Sequence, residues 1–223
     1  RRGEATGALF GFCSMIFALL TDEEPTHLAI VWDPPGDVFR NALFPDYKGT
    51  RPDMPDELRA QMPMFPEIVR ALGLPFLCVP GFEADDVIGT VVERLAASCD
   101  LTIVTSDKDL MQLVRDPGVQ VLDTMKNLRV GEAEVLERWG VPPSRIVEML
   151  ALMGDSSDNI PGVRGIGEKG AAQLLAEHPS LEALFAAKDT LTGRASKPIQ
   201  AEGAWESADL SRTLATIRLD VPV

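Results

Sequence analysis

Residues 154–170 have the sequence GDSSDNIPGVRGIGEKG, and the rest of the chain can be understood from this stretch. Its first half carries two acids, Asp155 and Asp158, three residues apart, and its second half spaces glycines ahead of a predicted helix. Carboxylate oxygens suit a hard metal cation. Glycines let a backbone come close to a phosphate, and the start of a helix offers free N–H groups to it. A metal beside a phosphate-binding hairpin indicates phosphodiester chemistry.

The composition is that of an ordinary globular protein with an acidic balance. Of 223 residues, 45% are hydrophobic and 25% charged, and the net charge is −13. An acidic chain is not expected to bind nucleic acid indiscriminately, unless many of its acids gather at a metal site. The three cysteines are far apart and show neither a disulfide framework nor zinc spacing, which predicts a reducing, cytoplasmic location.

Acids follow three predicted buried strands, over residues 27–32, 75–79 and 101–105. Ligands in open α/β sheets sit beyond the carboxyl ends of the strands, so acids there are well placed for a site. Capping and turn formation are the alternative, since acids are favoured in the first turn of a helix and Asp33 precedes two prolines. The acids concerned are Asp33, Glu83, Asp85, Asp86, Asp107 and Asp109.

Strand and helix patterns alternate up to residue 141, and the chain from 142 onward is helical in pattern. This indicates an α/β domain over residues 1–141 and a helical subdomain over residues 142–223. The first helix is predicted over residues 6–20, which are too few to span a bilayer. Residues 189–200 are polar and predicted to be loosely structured.

An all-oxygen ligand set selects Mg²⁺ or Mn²⁺ rather than zinc. Two such ions about 4 Å apart would activate water, hold the scissile phosphate and stabilise the leaving oxygen. No histidine or cysteine joins the acids, and no serine or cysteine triad is evident. The predicted metal ligands are Asp33, Glu83, Asp85, Asp86, Asp107, Asp109, Asp155 and Asp158.

Residues of two segments are candidates for contact with the nucleic acid. Around residues 39–66 a locally basic run predicts that Tyr47 stacks on a base and that Lys48 and Arg51 act as catalytic or steering cations; a solvated loop is the alternative. The hairpin is predicted to hold duplex backbone without reading bases, and its carbonyls can hold K⁺. The hairpin residues concerned are Gly162, Gly165, Gly167 and Lys169.

Four motifs together resemble the 5′–3′ exonuclease domain of bacterial DNA polymerase I, a branch of the flap endonucleases. These motifs are FPDYKGTRP at 44–52, EADDVIGT at 83–90, DKD at 107–109 and GDSSDNIPG at 154–162. The resemblance implies a mostly parallel central sheet flanked by helices, then a helical subdomain with a helix-hairpin-helix motif. It implies that the eight acids hold metal and that about residues 41–66 form a helical arch over a single-stranded 5′ end. It also implies monomeric action on DNA with a 5′ flap or nick and on RNA–DNA primers, away from membranes, with a polymerase domain following in the full protein.

The chain departs from the family pattern at its start. The family begins with a strand that carries a metal-binding aspartate, and nothing in this sequence supplies it. We therefore expect a fragment whose own activity depends on that strand. The alternative function is a catalytically impaired fragment that binds DNA junctions and keeps its acids as a structural cation site. A ribonuclease of related sheet architecture is a weaker alternative, since it needs fewer acids and lacks the glycine hairpin.

Overall fold

The computed structural model describes Gly3 and residues 5–223. Short strands form two small sheets, both built mainly by parallel pairing. Strand β1 (Ile30–Val31) pairs in parallel with β2 (Phe76–Leu77). Strand β3 (Leu101–Val104) pairs in parallel with β4 (Val119–Asp123), and β5 (Leu128–Val130) adds to β4 in the antiparallel sense. The predicted α/β class with mostly parallel strands is confirmed.

Helices cover the sheets and make up nearly all of the ordered structure after residue 131. They are α1 (Gly7–Asp22), α2 (Phe39–Leu43), α3 (Asp56–Arg59), α4 (Met64–Ala71), α5 (Ala84–Leu95), α6 (Glu132–Trp139), α7 (Ile146–Met153), α8 (Glu168–Glu177), α9 (Leu181–Ala186), α10 (Ser196–Gln200) and α11 (Ala204–Ala215). In the part of the chain that the structure describes, 3-10 helices cover Asp109–Leu113, Pro143–Arg145 and Lys188–Thr190. Within the described residues, no helix has the length and apolarity that crossing a membrane requires.

Helix α7 is the centre of the helical part. Its sequence IVEMLALM is almost wholly apolar, and Met149 and Leu152 are fully buried. It packs against both α8 and α11. A helix that is apolar all round has to be surrounded in this way, since each face has to be removed from water. The loop that follows α7 is therefore held on a rigid base, and this loop carries Asp155 and Asp158.

Helix α5 begins where its acids cluster. Val87 and Val92 bury its apolar face, while the backbone N–H of Glu83 donates to the Asp86 carboxylate at 3.1 Å. A hydrogen bond from the N–H of the residue before a helix to the side chain at the third helical position is half of a capping box, and it fixes the first turn. The conformation of this turn, from which the acids project, is thus set by local bonding.

The observed elements differ from the predicted ones in two places. The single central sheet is hydrogen-bonded as two separate sheets, and the predicted strands 27–32 and 75–79 shorten to two residues each. Residues 189–200 are not loose throughout, because α10 forms there and Ile199 is buried in the core. Residues 189–200 also contain Gly193 and Pro198, which are unfavourable inside a helix, so the sequence pattern favours a loop.

Candidate metal centre and nucleic-acid interface

Three of the eight predicted acids come together at the end of the β3 segment. Asp109, from the 3-10 helix, meets Asp155 and Asp158, from the loop after α7; one carboxylate oxygen of each lies within 4.8 Å of the others. All three are buried. The loop is shaped by a reciprocal backbone pairing of Asp155 with Ile160, at 2.9 and 2.8 Å. Acids remote in sequence thus form one cluster with the spacing of a cation site.

The Asp109 carboxylate lacks a full set of partners within the described part of the chain. Its Oδ1 atom is buried and accepts no hydrogen bond there, although Lys108 Nζ lies 3.5 Å away. Burial raises the pKa of Asp109 to about 7, and the negative charges of Asp107, Asp155 and Asp158 add to this while Lys108 opposes it. A buried carboxylate oxygen without a donor fits a bound cation, which would reverse this pKa shift.

Asp155 is held in its ionised form. Burial opposes ionisation, but hydrogen bonds from Lys108 Nζ at 2.5 Å and from the Ser157 hydroxyl at 2.6 Å lower the pKa of Asp155 below its ordinary value. The Ser157 backbone N–H adds a third bond at 3.0 Å. Asp109 and Asp155, side by side, therefore differ in ionisation because one has donors and the other does not.

A second group of acids surrounds Asp85, in the first turn of α5. Burial raises the pKa of Asp85 to about 7, and the charges of Asp107, Glu83 and Asp33 raise it further. Asp33, which follows β1, accepts the Ala84 backbone N–H at 2.8 Å, so the strand end and the helix start are tied together. Asp33, which follows β1, and the acids at the start of α5, which follow β2, are therefore close enough to Asp107 for their charges to interact.

An open cleft of about 460 Å³ lies beside these acids. It is lined by Thr105, Ser106, Asp107, Lys108 and Ser157. The cleft joins the exposed end of the β3 segment to the loop after α7. A phosphate group of a ligand can thus reach the acids from solvent.

Asp86 has a role different from the predicted one. It is fully buried, and its two oxygens accept four hydrogen bonds: two from the Arg40 guanidinium, at 2.7 and 2.9 Å, and two from the backbone N–H groups of Glu83 and Arg218. A carboxylate with four donors has no free lone pair directed at a cation. The geometry therefore assigns Asp86 to an internal ion pair and not to the metal.

Tyr47 also differs from the prediction, because its ring is not free to stack on a base. The side chain is 5% exposed, and its hydroxyl lies 2.9 Å from Glu83 Oε2 and 3.2 Å from Asp158 Oδ2. The ring belongs to the hydrophobic core. Tyr47 thus links an acid of α5 to an acid of the loop after α7.

Lys48 and Arg51 pair with the acids and do not lie in a solvated loop. Lys48 pairs with Glu83 and lies 3.6 Å from Asp158, while Arg51 donates to Asp158 at 2.5 Å. The backbone continues the contact, since Lys48 N–H donates to the Asp158 carbonyl at 2.9 Å. The two predicted catalytic cations are therefore adjacent to the predicted metal ligands, where they balance negative charge.

The glycines of the hairpin divide into two kinds. Gly162 is buried with φ +61°, and its N–H and C=O bond to the hydroxyls of Ser211 and Ser207 on α11, at 2.9 and 2.6 Å. Gly165 and Gly167 are exposed, and Gly167 precedes the first residue of α8. Gly162 is therefore unsuited to touching a ligand, while the other two and the exposed Lys169 are open to one.

Sequence reasoning missed Arg40. It is 3% exposed, and its partners Glu83 and Asp86 lie more than forty residues away, at separations of 43 and 46. A single arginine in a short helical pattern gives no signal of an internal ion pair, and arginine is mostly exposed in general. Only tertiary structure shows this contact.

Comparison with known proteins agrees with this geometry. Residues 1–140 match the sequence profile described as the 5′-3′ exonuclease N-terminal resolvase-like domain, and residues 141–223 match that of the 5′-3′ exonuclease C-terminal SAM fold. The chain belongs to the 5′-3′ exonuclease family, whose members are nucleases. The helix-hairpin-helix arrangement of α7 and α8 falls within the second profile.

Three relatives define the relation more closely. DNA polymerase I of Rhizobium leguminosarum is 43% identical over 99% of this chain and 22% of its own length. A 5′-3′ exonuclease of Aquifex aeolicus is 39% identical over 81% of this chain and 63% of its own. A T5 protein co-crystallised with metal ions is 25% identical, with a TM-score of 0.76 over 94% of this chain and 80% of that one. The chain thus spans about a quarter of the DNA polymerase I relative's length.

Proposed function

We propose that the chain is the catalytic part of a structure-specific 5′ nuclease, which hydrolyses phosphodiester bonds at the 5′ ends of DNA or of RNA primers. The observation that carries this proposal is the pair of acid groups beside one open cleft, in which Asp85 and Asp109 each have a pKa raised to about 7. Such a concentration of buried negative charge is costly unless cations balance it. Membership of the 5′-3′ exonuclease family supports the same reaction.

The residues fit two divalent cations. Asp109, Asp155 and Asp158 would hold one, since their oxygens already lie within 4.8 Å of one another. Asp33, Glu83, Asp85 and Asp107 would hold the other, since their charges act together on Asp85. Bound Mg²⁺ or Mn²⁺ would supply the Lewis acidity that lowers the pKa of water and balances charge on the phosphate. The T5 protein co-crystallised with metal ions supports a bound metal ion.

Lys48 and Arg51 would act on the substrate once the acids are balanced by metal. Their cationic groups now contact Glu83 and Asp158, so a small movement would turn them toward a phosphate in the cleft. Arginine can bind phosphate through two parallel hydrogen bonds, and lysine acts as a point charge. We assign both residues to stabilising negative charge on the reacting phosphate. Tyr47, which is buried, would position Glu83 instead of contacting a base.

The hairpin between α7 and α8 would hold the duplex. The exposed Gly165 and Gly167 allow close approach of a phosphate, Lys169 adds a charge, and the α8 N-terminus offers unpaired N–H groups. K⁺ bound by the hairpin carbonyls stays a prediction. The duplex arm is thus proposed to be gripped without base readout, as a structure-specific enzyme requires.

The substrate and context follow from the relatives. We propose DNA with a 5′ flap or nick and RNA–DNA primers as substrates, and a monomer as the active form. Curated relatives named DNA polymerase I are about four times longer than the matched part, which supports a polymerase domain in the full protein. The cytoplasmic location stays a prediction, as does the arch over about residues 41–66.

The test is cleavage of a 5′-labelled flapped duplex in Mg²⁺. We expect release of short 5′ oligonucleotides, and a loss of at least about a thousandfold in Asp107→Asn combined with Asp155→Asn, which removes one acid from each group. The matched control is Asp100→Asn combined with Asp189→Asn, which changes net charge equally at two exposed positions. Full cleavage by the site variant would refute the proposal. A chain that binds the flap but leaves it intact in Mn²⁺, even after the family's N-terminal strand is restored, would favour the junction-binding alternative.

A further inference from the structure

The arginine in α2 uses all of its donors. Arg40 NH1 bonds to Glu83 and Asp86 at 2.8 and 2.7 Å, and NH2 bonds to the second oxygen of Asp86 at 2.9 Å. Its Nε and NH2 also donate to the carbonyls of Leu214 and Thr216, at 2.7 and 2.9 Å. Five hydrogen bonds from one guanidinium, in a side chain that is 3% exposed, leave it one position. Arg40 is therefore a rigid connector between α5 and the end of α11.

The end of α11 is a meeting point for the other acid-bearing segment. Gln112, in the 3-10 helix that begins with Asp109, donates to the Ala215 carbonyl at 3.0 Å and accepts the Ile217 N–H at 3.1 Å. The last carbonyls of a helix have no partner within it and need one outside. Arg40 and Gln112 together supply this. The α5 acids, through Arg40, and the 3-10 helix of Asp109, through Gln112, are thus hydrogen-bonded to neighbouring carbonyls at residues 214–216.

The same helix holds the loop that carries the third segment of acids. Ser207 and Ser211 of α11 bond to Gly162, and α11 packs along α7, from which Asp155 and Asp158 follow. Helix α11 is therefore connected to α5 through Arg40, to the 3-10 helix of Asp109 through Gln112, and to the loop after α7 through its two serines, although it carries none of the predicted ligands.

We propose that Arg40 is a positioning residue, which, through the end of α11, fixes the spacing between the Glu83–Asp85 acids and the Asp109–Asp155–Asp158 acids. The proposal rests on the function proposed above. Arg40 is buried and does not line the cleft, so it acts on the acids through Asp86 and through Glu83, whose Oε2 it shares with the Tyr47 hydroxyl. The ion pair with Arg40 also occupies both oxygens of Asp86, which leaves Glu83 and Asp85 as the proposed metal ligands at the start of α5.

The experiment compares Arg40→Lys with Arg145→Lys by Mn²⁺ titration followed by electron paramagnetic resonance. Arg145 is a matched control, because it also bonds to a glutamate, Glu148, and to two helix-end carbonyls, those of Leu175 and His178. Lysine keeps the charge but cannot bridge two carboxylates and two carbonyls. Loss of a partner that orients a metal ligand costs roughly tenfold to a hundredfold in affinity, and we expect this for Arg40→Lys alone.

A second readout separates positioning from a merely structural effect. At a temperature where circular dichroism shows all variants folded, we expect Arg40→Lys to lower kcat on a flapped duplex with KM changed less than about twofold, and Arg145→Lys to lower neither. Mn²⁺ affinity and kcat in Arg40→Lys equal to those in Arg145→Lys would overturn the positioning role. Failure of the wild type to bind Mn²⁺ at all would instead overturn the proposed function on which the role rests.

If Arg40→Lys does not fold, the double variant Arg40→Met with Asp86→Leu takes its place. It removes both buried charges together, so no unpaired ion is left to unfold the protein. We expect it to fold and still to bind Mn²⁺ at least about tenfold more weakly than the wild type, because α5 is no longer tied to α11. Wild-type affinity in this folded variant would show that the connection does not position the acids.

Discussion

Substituting alanine for Gly162 tests whether this glycine is structural, as the geometry indicates, or a DNA contact, as its sequence pattern suggests. An added Cβ atom would lie 2.3 Å from the backbone nitrogen of Gly154 and 2.7 Å from its Cα. Both are backbone atoms on a loop anchored to α7, so neither can move aside like the end of a flexible side chain. Gly162 also has φ +61°, where a Cβ is strained.

The expected destabilisation can be added from its parts. The left-handed conformation costs an alanine about 1–2 kcal/mol, and forcing atoms into a packed region costs about 1–3 kcal/mol. Displacement of the loop would also weaken the bonds to Ser207 and Ser211, together by about 1 kcal/mol. The total is about 3–6 kcal/mol, a large part of the roughly 5–15 kcal/mol that stabilises a typical domain.

The assay is urea unfolding followed by circular dichroism, with Gly167→Ala as the control. Gly167 has φ −107° and no atom within 4 Å of an added Cβ, so its alanine variant should lose less than about 1 kcal/mol. We expect the unfolding midpoint of Gly162→Ala to fall by about 1–2 M, at a slope of about 3 kcal/mol per M. Gly167→Ala should keep its midpoint and bind duplex DNA more weakly. A wild-type midpoint for Gly162→Ala would refute the reasoning.

Two further predictions concern charge in the site. Lys48→Met should tighten Mn²⁺ binding about fivefold by calorimetry and slow cleavage, because the ammonium that pairs with Glu83 no longer opposes the metal. The control Lys126→Met, whose lysine pairs with Asp123 at 2.9 Å, should change neither the Mn²⁺ affinity nor the cleavage rate. Weaker Mn²⁺ binding by Lys48→Met would count against this reasoning. In EDTA, the pKa of Asp109 is about 7 in the folded protein and near 3.8 in the unfolded chain. The free energy of unfolding should therefore fall as pH rises between these two values. Asp109→Asn removes this loss and should raise the stability at pH 8 by on the order of 2–4 kcal/mol. Thermal unfolding from pH 5 to 8 tests this: the advantage should shrink as pH falls through 7, and a pH-independent difference would contradict it.

The clustering of three acids could be predicted from the sequence, because each follows a strand or a buried helix that leaves a clear pattern. Asp109, Asp155 and Asp158 meet because the ends of these elements meet, and the residue pattern contains that information. The fold class was predictable for the same reason. The limits of each element were less so, as β1 and β2 show, since short strands depend on their partners more than on their own residues.

The ionic pairing inside the site could not be predicted from the sequence. Asp86 and Asp85 are adjacent acids in one helical turn, yet one is saturated by Arg40 and the other faces like charges. Tyr47 could equally be exposed or buried, and only the packing of its loop against Asp158 decides this. The contacts of Arg40 with Asp86 and of Tyr47 with Asp158 join residues 46 and 111 positions apart, for which local pattern carries no signal.

The reach of Arg40 along the chain has a consequence for biosynthesis. The carbonyls of Leu214 and Thr216 follow it by 174 and 176 residues. At a ribosomal rate of roughly 5–20 residues per second, about 10–35 seconds separate the synthesis of the arginine from that of its last partners. Until then the nascent chain carries its aspartates and glutamates without the helix that spaces them, and so this nuclease centre is completed only after Thr216 has been translated.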